Sequence, residues 1–134
     1  MKTTSTNIQQ PRQDDAGYDL YVDRKVVIPP RSSELIDTDI AVQIPKGCFG
    51  HIFSRSGNST KLKVEVGAGL VDPGFTGAIK VHLYNHSDIT AVIPKGRAIA
   101  QLAIISYISP PLEIVDSLEQ TERGSDGFGS TDSD

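Results

Sequence analysis

A chain of 134 residues suits one domain. Its hydrophobic share of 37% is low for a globular domain, so oligomerisation is a natural way to bury more surface. A formal net charge of −4 argues against non-specific nucleic-acid binding, although it leaves room for a local basic pocket.

In chain order, the first stretch, Met1 to Gln13, is polar and aperiodic, and its composition predicts disorder. Short β-favouring stretches follow at Val26 to Ile28, Glu34 to Asp37, Ile40 to Ile44 and Cys48 to Phe53. Ser56 to Lys61 is the one place where a short helical turn is expected. Leu62 to Val66, Ala78 to Tyr84, Thr90 to Ile93 and Ala98 to Ile108 complete the strand candidates. Alternation is clearest where Ile79, Val81 and Leu83 share one face and Lys80, His82 and Tyr84 the other. Turn signals separate the stretches: Pro29-Pro30, Pro45-Lys46-Gly47, Asp72-Pro73-Gly74 and Pro94-Lys95-Gly96. Many short strands between regular turns predict an all-β sandwich or barrel. From Gln120 onward the chain is rich in Gly, Ser and Asp, which predicts a flexible end.

Cys48 is the only cysteine, and His51, His82 and His86 lack ligand spacing. Neither an intrachain disulfide nor a structural zinc site is expected. No apolar run is long enough for a secretory signal or a membrane span. The expectation is an intracellular protein, cytoplasmic or nuclear, not secreted.

Four segments could carry chemistry, and each also has a plainer reading. Arg55-Ser56-Gly57 offers a guanidinium, a hydroxyl and an approachable backbone N–H to a phosphate; alternatively it is a turn ending a strand. Gly67 to Gly77 is a glycine-dense hairpin whose backbone can lie close to a planar ligand, with Asp72 at a turn able to orient a water. Its plainer reading is a tight hairpin with Asp72 as turn former. Gln101 places one amide in an otherwise apolar strand, for a ligand or for the backbone. Arg123 to Thr131 has the composition of a phosphate cradle or of a loose tail, and it is not a P-loop.

Together and in this order, the segments resemble the trimeric dUTPases. The five motifs of that family are matched by Asp15-Ala16-Gly17-Tyr18-Asp19-Leu20, Arg55-Ser56-Gly57, Gly69 to Gly77, Gly96 to Leu102 and Arg123 to Thr131. The resemblance spans roughly Asp14 to Thr131 and implies a jelly-roll-like distorted β barrel formed by residues 1–119. It implies that residues 120–134 form a flexible arm closing the active site of a neighbouring subunit, and so a homotrimer.

The resemblance further implies hydrolysis of dUTP. Asp72 matches the carboxylate that activates the attacking water, a role for a general base within hydrogen-bond reach. Mg²⁺ is implied on the triphosphate and waters, with no direct protein ligand and with Asp19 near its water shell. Arg55, Ser56, Gly57 and Gln101 match phosphate binders. Backbone from Gly69, returning near Lys80, matches the hairpin that reads uracil, and Phe75 matches a ring packed on the deoxyribose. Phe128 matches the ring over uracil; Arg123, Ser130 and Thr131 match the arm's phosphate contacts, with Gly129 beside them. Three positions depart from the family pattern. Phe75 replaces a frequent tyrosine, Asp126 a glycine, and Ala98 an arginine. Arg97 precedes that last position and points to the other strand face, so it does not simply take the arginine's place.

Two other functions compete. The related dCTP deaminases share the fold and a similar Asp72-Pro73-Gly74-Phe75 segment, but they use a glutamate on the following strand. A non-catalytic binding or signalling protein on the same fold is the other reading, motivated by Ala98 and Asp126.

Overall fold

The computed structural model describes residues 1–132; Ser133 and Asp134, the end of the expected arm, lie outside the described residues. The elements run β1 (Lys2–Thr3), β2 (Ile8–Gln9), β3 (Tyr18–Leu20), β4 (Val26–Ile28), β5 (Ser33–Asp37), β6 (Val42–Gln43), β7 (Cys48–Phe53), α1 (Ser56–Leu62), β8 (Val64–Val66), β9 (Leu70–Val71), β10 (Lys80–Asn85), β11 (Ala91–Ile93) and β12 (Ala100–Ser106). The fold is all-β, as expected. Its ladders form four sheets, ordered β1-β6, β5-β10-β8, β11-β4 and β2-β3-β12-β7-β9, and do not close into one ring.

One core lies between the sheets. Alternation puts Val81 and Leu83 of β10 inward, Ala100 and Leu102 of β12 inward, and Val26 and Ile28 of β4 inward. Leu20, Ile40, Ile79, Ile93 and Ile99 join them with almost no exposure. Two polar residues, Asn58 and Asn85, are buried among the described residues, and Asn85 is the fully bonded one. Its amide donates to the carbonyls of Ile28 and Ile89, and its carbonyl oxygen accepts from the Ser87 N–H. The interior thus closes around a polar group that is bonded, as burial requires.

The predicted β4 and β7 match in full, and α1 occupies the predicted helical turn with one residue more. The helix ends at Lys63, which is left-handed at φ 59, so the strand expected from Leu62 begins at Val64. Ile40 to Ile44 shrinks to Val42–Gln43, because Ile40 and Ile44 are buried for packing without continuing a ladder. The expected disorder of Met1 to Gln13 is corrected. There β1 pairs with β6 and β2 with β3, and Asn7 bridges the carboxylates of Asp23 and Asp39. Polar composition misleads because this stretch is held by ladder and side-chain hydrogen bonds, not by an apolar face.

Candidate active site

The five-stranded sheet collects the polar group. Gln101 of β12 stands directly opposite Asp19 of β3 and Phe53 of β7. Directly opposed residues share a sheet face, and the neighbours Ala100 and Leu102 point into the core, so Asp19 and Gln101 face outward together. Arg55 leaves the end of β7 and turns back over them; its Nη1 lies 3.1 Å from Asp19 Oδ1. The Gln101 side-chain amide donates to the Ser54 carbonyl at 2.9 Å, which fixes the chain just before Arg55. A Cβ at Gly17 would overlap the Gln101 amide oxygen, so a larger residue there would have to displace that side chain. These residues, with Arg12 and Asp15, line a polar cavity of about 480 Å³.

Ser56 and Gly57 open α1 beside this cavity. Where a Cβ of Gly57 would stand, the Arg97 guanidinium lies 3.2 Å away. Ala98 is buried, and its carbonyl accepts from the amide of the buried Asn58. So Arg97 does bring a guanidinium to the second motif from the exposed side of its turn. Arg97 is exposed and Ala98 buried, so the two point to opposite sides, on a turn of residues 94–98 that precedes β12 and carries Gly96 at φ 89.

The hairpin makes a second cavity, of about 390 Å³, whose lining includes Gly69, Asp72, Phe75, Lys80 and His82. The Gly69 carbonyl accepts from the Ile52 N–H at 2.8 Å, and a Cβ there would stand 2.7 Å from the Ile52 carbonyl oxygen. Only glycine lets the hairpin lie this close to β7. Asp72 sits exposed at a turn closed by the Phe75 N–H on its carbonyl. Among the described residues its carboxylate has no ion-pair partner. The Phe75 ring is 46% exposed, available as an apolar wall. The Lys80 ammonium lies 3.5 Å from the Asp37 carboxylate across the β10–β5 pair.

Residues of the C-terminal stretch form a third group. The Arg123 guanidinium donates to the Asp126 carbonyl, and the Gly127 N–H donates to the Ser130 hydroxyl. Arg123, Phe128, Gly129, Ser130 and Thr131 line a cavity of their own, and the Phe128 ring is fully exposed. Within the described residues, the hydrogen bonds of this stretch stay inside it. Within one chain, then, Asp19, Arg55 and Gln101 meet, and Gly69, Asp72, Phe75 and Lys80 meet. The two cavities and the arm share no lining residue. Arg12 went unread in the sequence, while Asp15 was quoted only as the start of the first motif, Arg97 only as the neighbour of Ala98 and His82 only as a strand residue without ligand spacing. Arg12 lies in a stretch without periodicity, and only its charge signalled it.

No group of three or more His, Cys, Asp or Glu side chains able to hold a metal occurs among the described residues. The acidic groups at the polar cavity, Asp15 and Asp19, suit a cation that keeps its waters and is bound chiefly by a ligand's phosphates. No helix of the described residues is long and apolar enough to cross a membrane.

Comparison with known proteins bears on this arrangement. A probable deoxyuridine 5'-triphosphate nucleotidohydrolase of Schizosaccharomyces pombe is 43% identical over 116 residues, covering 87% of this chain and 83% of the relative. The Saccharomyces cerevisiae enzyme of the same name is 42% identical, covering 87% and 80%. Among solved structures, the dUTPase of Staphylococcus bacteriophage 80alpha with dUPNHPP superposes with a TM-score of 0.85 at 31% identity, covering 96% of each chain. The native EIAV dUTPase superposes with a TM-score of 0.78 at 30% identity, covering 88% of this chain and 98% of that one. The dUTPase family pattern itself matches residues 3–132, and the chain therefore belongs to the dUTPase family.

Proposed function

We propose that this protein hydrolyses dUTP to dUMP and pyrophosphate, acting as a homotrimer with shared active sites. The observation that carries the reading is the meeting of Asp19, Arg55 and Gln101, from three separate segments, in one polar cavity. In this reading Arg55, the Ser56 hydroxyl, the Gly57 N–H and Gln101 hold the triphosphate. The Gly69 hairpin and the Lys80 backbone read the uracil edge and leave little room for a 5-methyl group. Phe75 packs on the deoxyribose. The Asp72 carboxylate takes a proton from a water whose oxygen bonds to the α-phosphorus. The bond from that phosphorus to the oxygen bridging the α and β positions breaks, and pyrophosphate leaves. Mg²⁺, when bound with the phosphates, would supply charge neutralisation there, and Asp19 is the residue that would face its waters.

Residues 1–119 serve as the catalytic domain, and residues 120–134 as an arm that crosses to a neighbouring subunit. Arg123, Ser130 and Thr131 then contact phosphates, with Gly129 giving the backbone its turn at φ 81 and Phe128 covering the base. The separation of the cavities supports this division, since no single chain assembles hairpin, arginine group and arm. Removing dUTP keeps uracil out of DNA and supplies dUMP for thymidylate synthesis, work that belongs inside the cell, in cytoplasm or nucleus. The deaminase alternative lacks support, because β10 reads Lys80-Val81-His82-Leu83-Tyr84-Asn85 without a carboxylate. The deciding experiment measures pyrophosphate release from dUTP, dCTP, dTTP and UTP side by side, with and without EDTA. Turnover confined to dUTP and lost with EDTA is expected; absence of turnover on dUTP in a folded sample defeats the reading.

A further inference from the structure

Two arginines line the polar cavity, and only Arg55 belongs to the motifs. The other is Arg12, on the loop between β2 and β3. Its Nε lies 3.2 Å from Asp15 Oδ2, in the same loop. The loop is shaped for this contact: the Asp15 N–H donates to the Arg12 carbonyl, and Asp14 between them is left-handed at φ 70. The polar cavity therefore holds two guanidinium–carboxylate pairs, Arg12 with Asp15 and Arg55 with Asp19. Each pair is self-neutralising, which leaves the cavity without net charge while it is empty.

The two pairs differ in how tightly they are held. Arg55 and Asp19 are 40% and 23% exposed at their side chains, whereas Arg12 and Asp15 are 90% and 52% exposed. An exposed pair of this kind is weak, because water competes for both partners. A polyphosphate brings several negative charges and pairs of oxygens that a guanidinium fork can take bidentately, more acceptor charge than one solvated carboxylate offers. The exchange costs little on the Arg12 side and gains charge-assisted hydrogen bonds.

We propose that Arg12 is a second guanidinium for the triphosphate, held by Asp15 in the empty site and transferred to phosphate oxygens when nucleotide binds. The inference rests on the dUTPase reading for its ligand, and it adds a residue outside the five motifs. Asp15 acts as a competitor for Arg12 and so sets how much affinity the exchange yields.

The test compares wild type with Arg12→Gln, Arg12→Lys and Asp15→Asn. Calorimetry measures binding of deoxyuridine, of a non-hydrolysable dUTP analogue and of inorganic tripolyphosphate; thermal melting checks the fold. Arg12→Gln should weaken the analogue and tripolyphosphate about 10-fold while deoxyuridine affinity and melting stay unchanged. Arg12→Lys should recover part of that loss, since it restores the charge without the fork. Asp15→Asn should tighten both phosphate ligands about 2- to 5-fold by removing the competing carboxylate. Equal affinity of Arg12→Gln and wild type for the analogue overturns the proposal. So does a loss as large for deoxyuridine as for the analogue, which would mark a purely structural role. If wild type ignores the dUTP analogue, the dUTPase reading fails, and tripolyphosphate still decides whether Arg12 binds phosphate.

Discussion

At the scale of single residues, Asp72 is the most exposed to test. Its carboxylate is free of an ion-pair partner among the described residues, so replacement by the isosteric amide disturbs no pair there. Asp72→Asn should lower kcat by about 10²–10⁴-fold while the affinity for a dUTP analogue is largely kept. Near-normal turnover in the folded variant would remove Asp72 from the proton transfer. Gly69 is testable for a different reason. A methyl group there would collide with the Ile52 carbonyl oxygen, so Gly69→Ala must push the hairpin off β7. A shift of about 1 Å near a reacting centre can cost about 10²-fold in rate, and kcat/KM for dUTP should fall by about that amount. If it stays within twofold, the close approach is not what positions the hairpin. Both residues were legible in the sequence, because glycine density and a turn aspartate are local signals. The Arg12–Asp15 pair was not, since its meaning depends on β2 and β3 pairing to carry that loop to the cavity wall.

At the scale of elements, the interior polar node at Asn85 makes a sharp prediction. It ends β10, is 1% exposed, and makes five hydrogen bonds that tie β10 to the end of β4 and to the turn before β11. Asn85→Ala leaves the Ile28 carbonyl without that donor, while the Ile89 carbonyl keeps the Ser87 hydroxyl. An unsatisfied buried group costs about 1–3 kcal/mol, and urea denaturation should show a loss of about that size. A loss under about 1 kcal/mol would mean that water replaces the side chain in full. The elements show which signals survive the step from sequence to fold. β7 and β4 were readable because β-branched and aromatic residues sit between strong turn formers. β1, β2 and β9 span two residues each and carry no periodicity; they exist because a distant strand supplies the ladder partner. β3 is three residues long and was quoted as a motif without being read as a strand. Its role in aiming Asp19 comes from the register with Gln101 on β12, a relation between residues more than eighty positions apart.

At the scale of the whole molecule, the arrangement predicts where each part of the site comes from. One chain keeps hairpin, arginine group and C-terminal stretch in separate cavities, and the segment leading to the arm leaves Ile108, Leu112, Ile114 and Leu118 almost fully exposed. Apolar side chains left bare in one chain are expected to find cover against another copy. Truncation after residue 119 should therefore give a trimer that melts within a few degrees of the full chain yet has lost most of its turnover. That result alone does not say whose site the arm closes. Complementation does. One chain lacks residues 120–134 and keeps Asp72; the other carries Asp72→Asn and keeps its arm. Either homotrimer should be nearly inactive. Co-refolded at equal amounts, they form mixed trimers in which some sites combine an intact Asp72 with an arm from a neighbour. With random assortment about a quarter of all sites meet that condition, so activity should recover to about a quarter of the wild-type value, in a closed ring where each arm serves one neighbour. If the arm closed the site of its own chain, no mixture could recover anything. Activity that stays at the level of the parents after mixing, with mixed trimers verified by mass, would therefore sink the shared-site arrangement while leaving the chemistry at Asp72 intact.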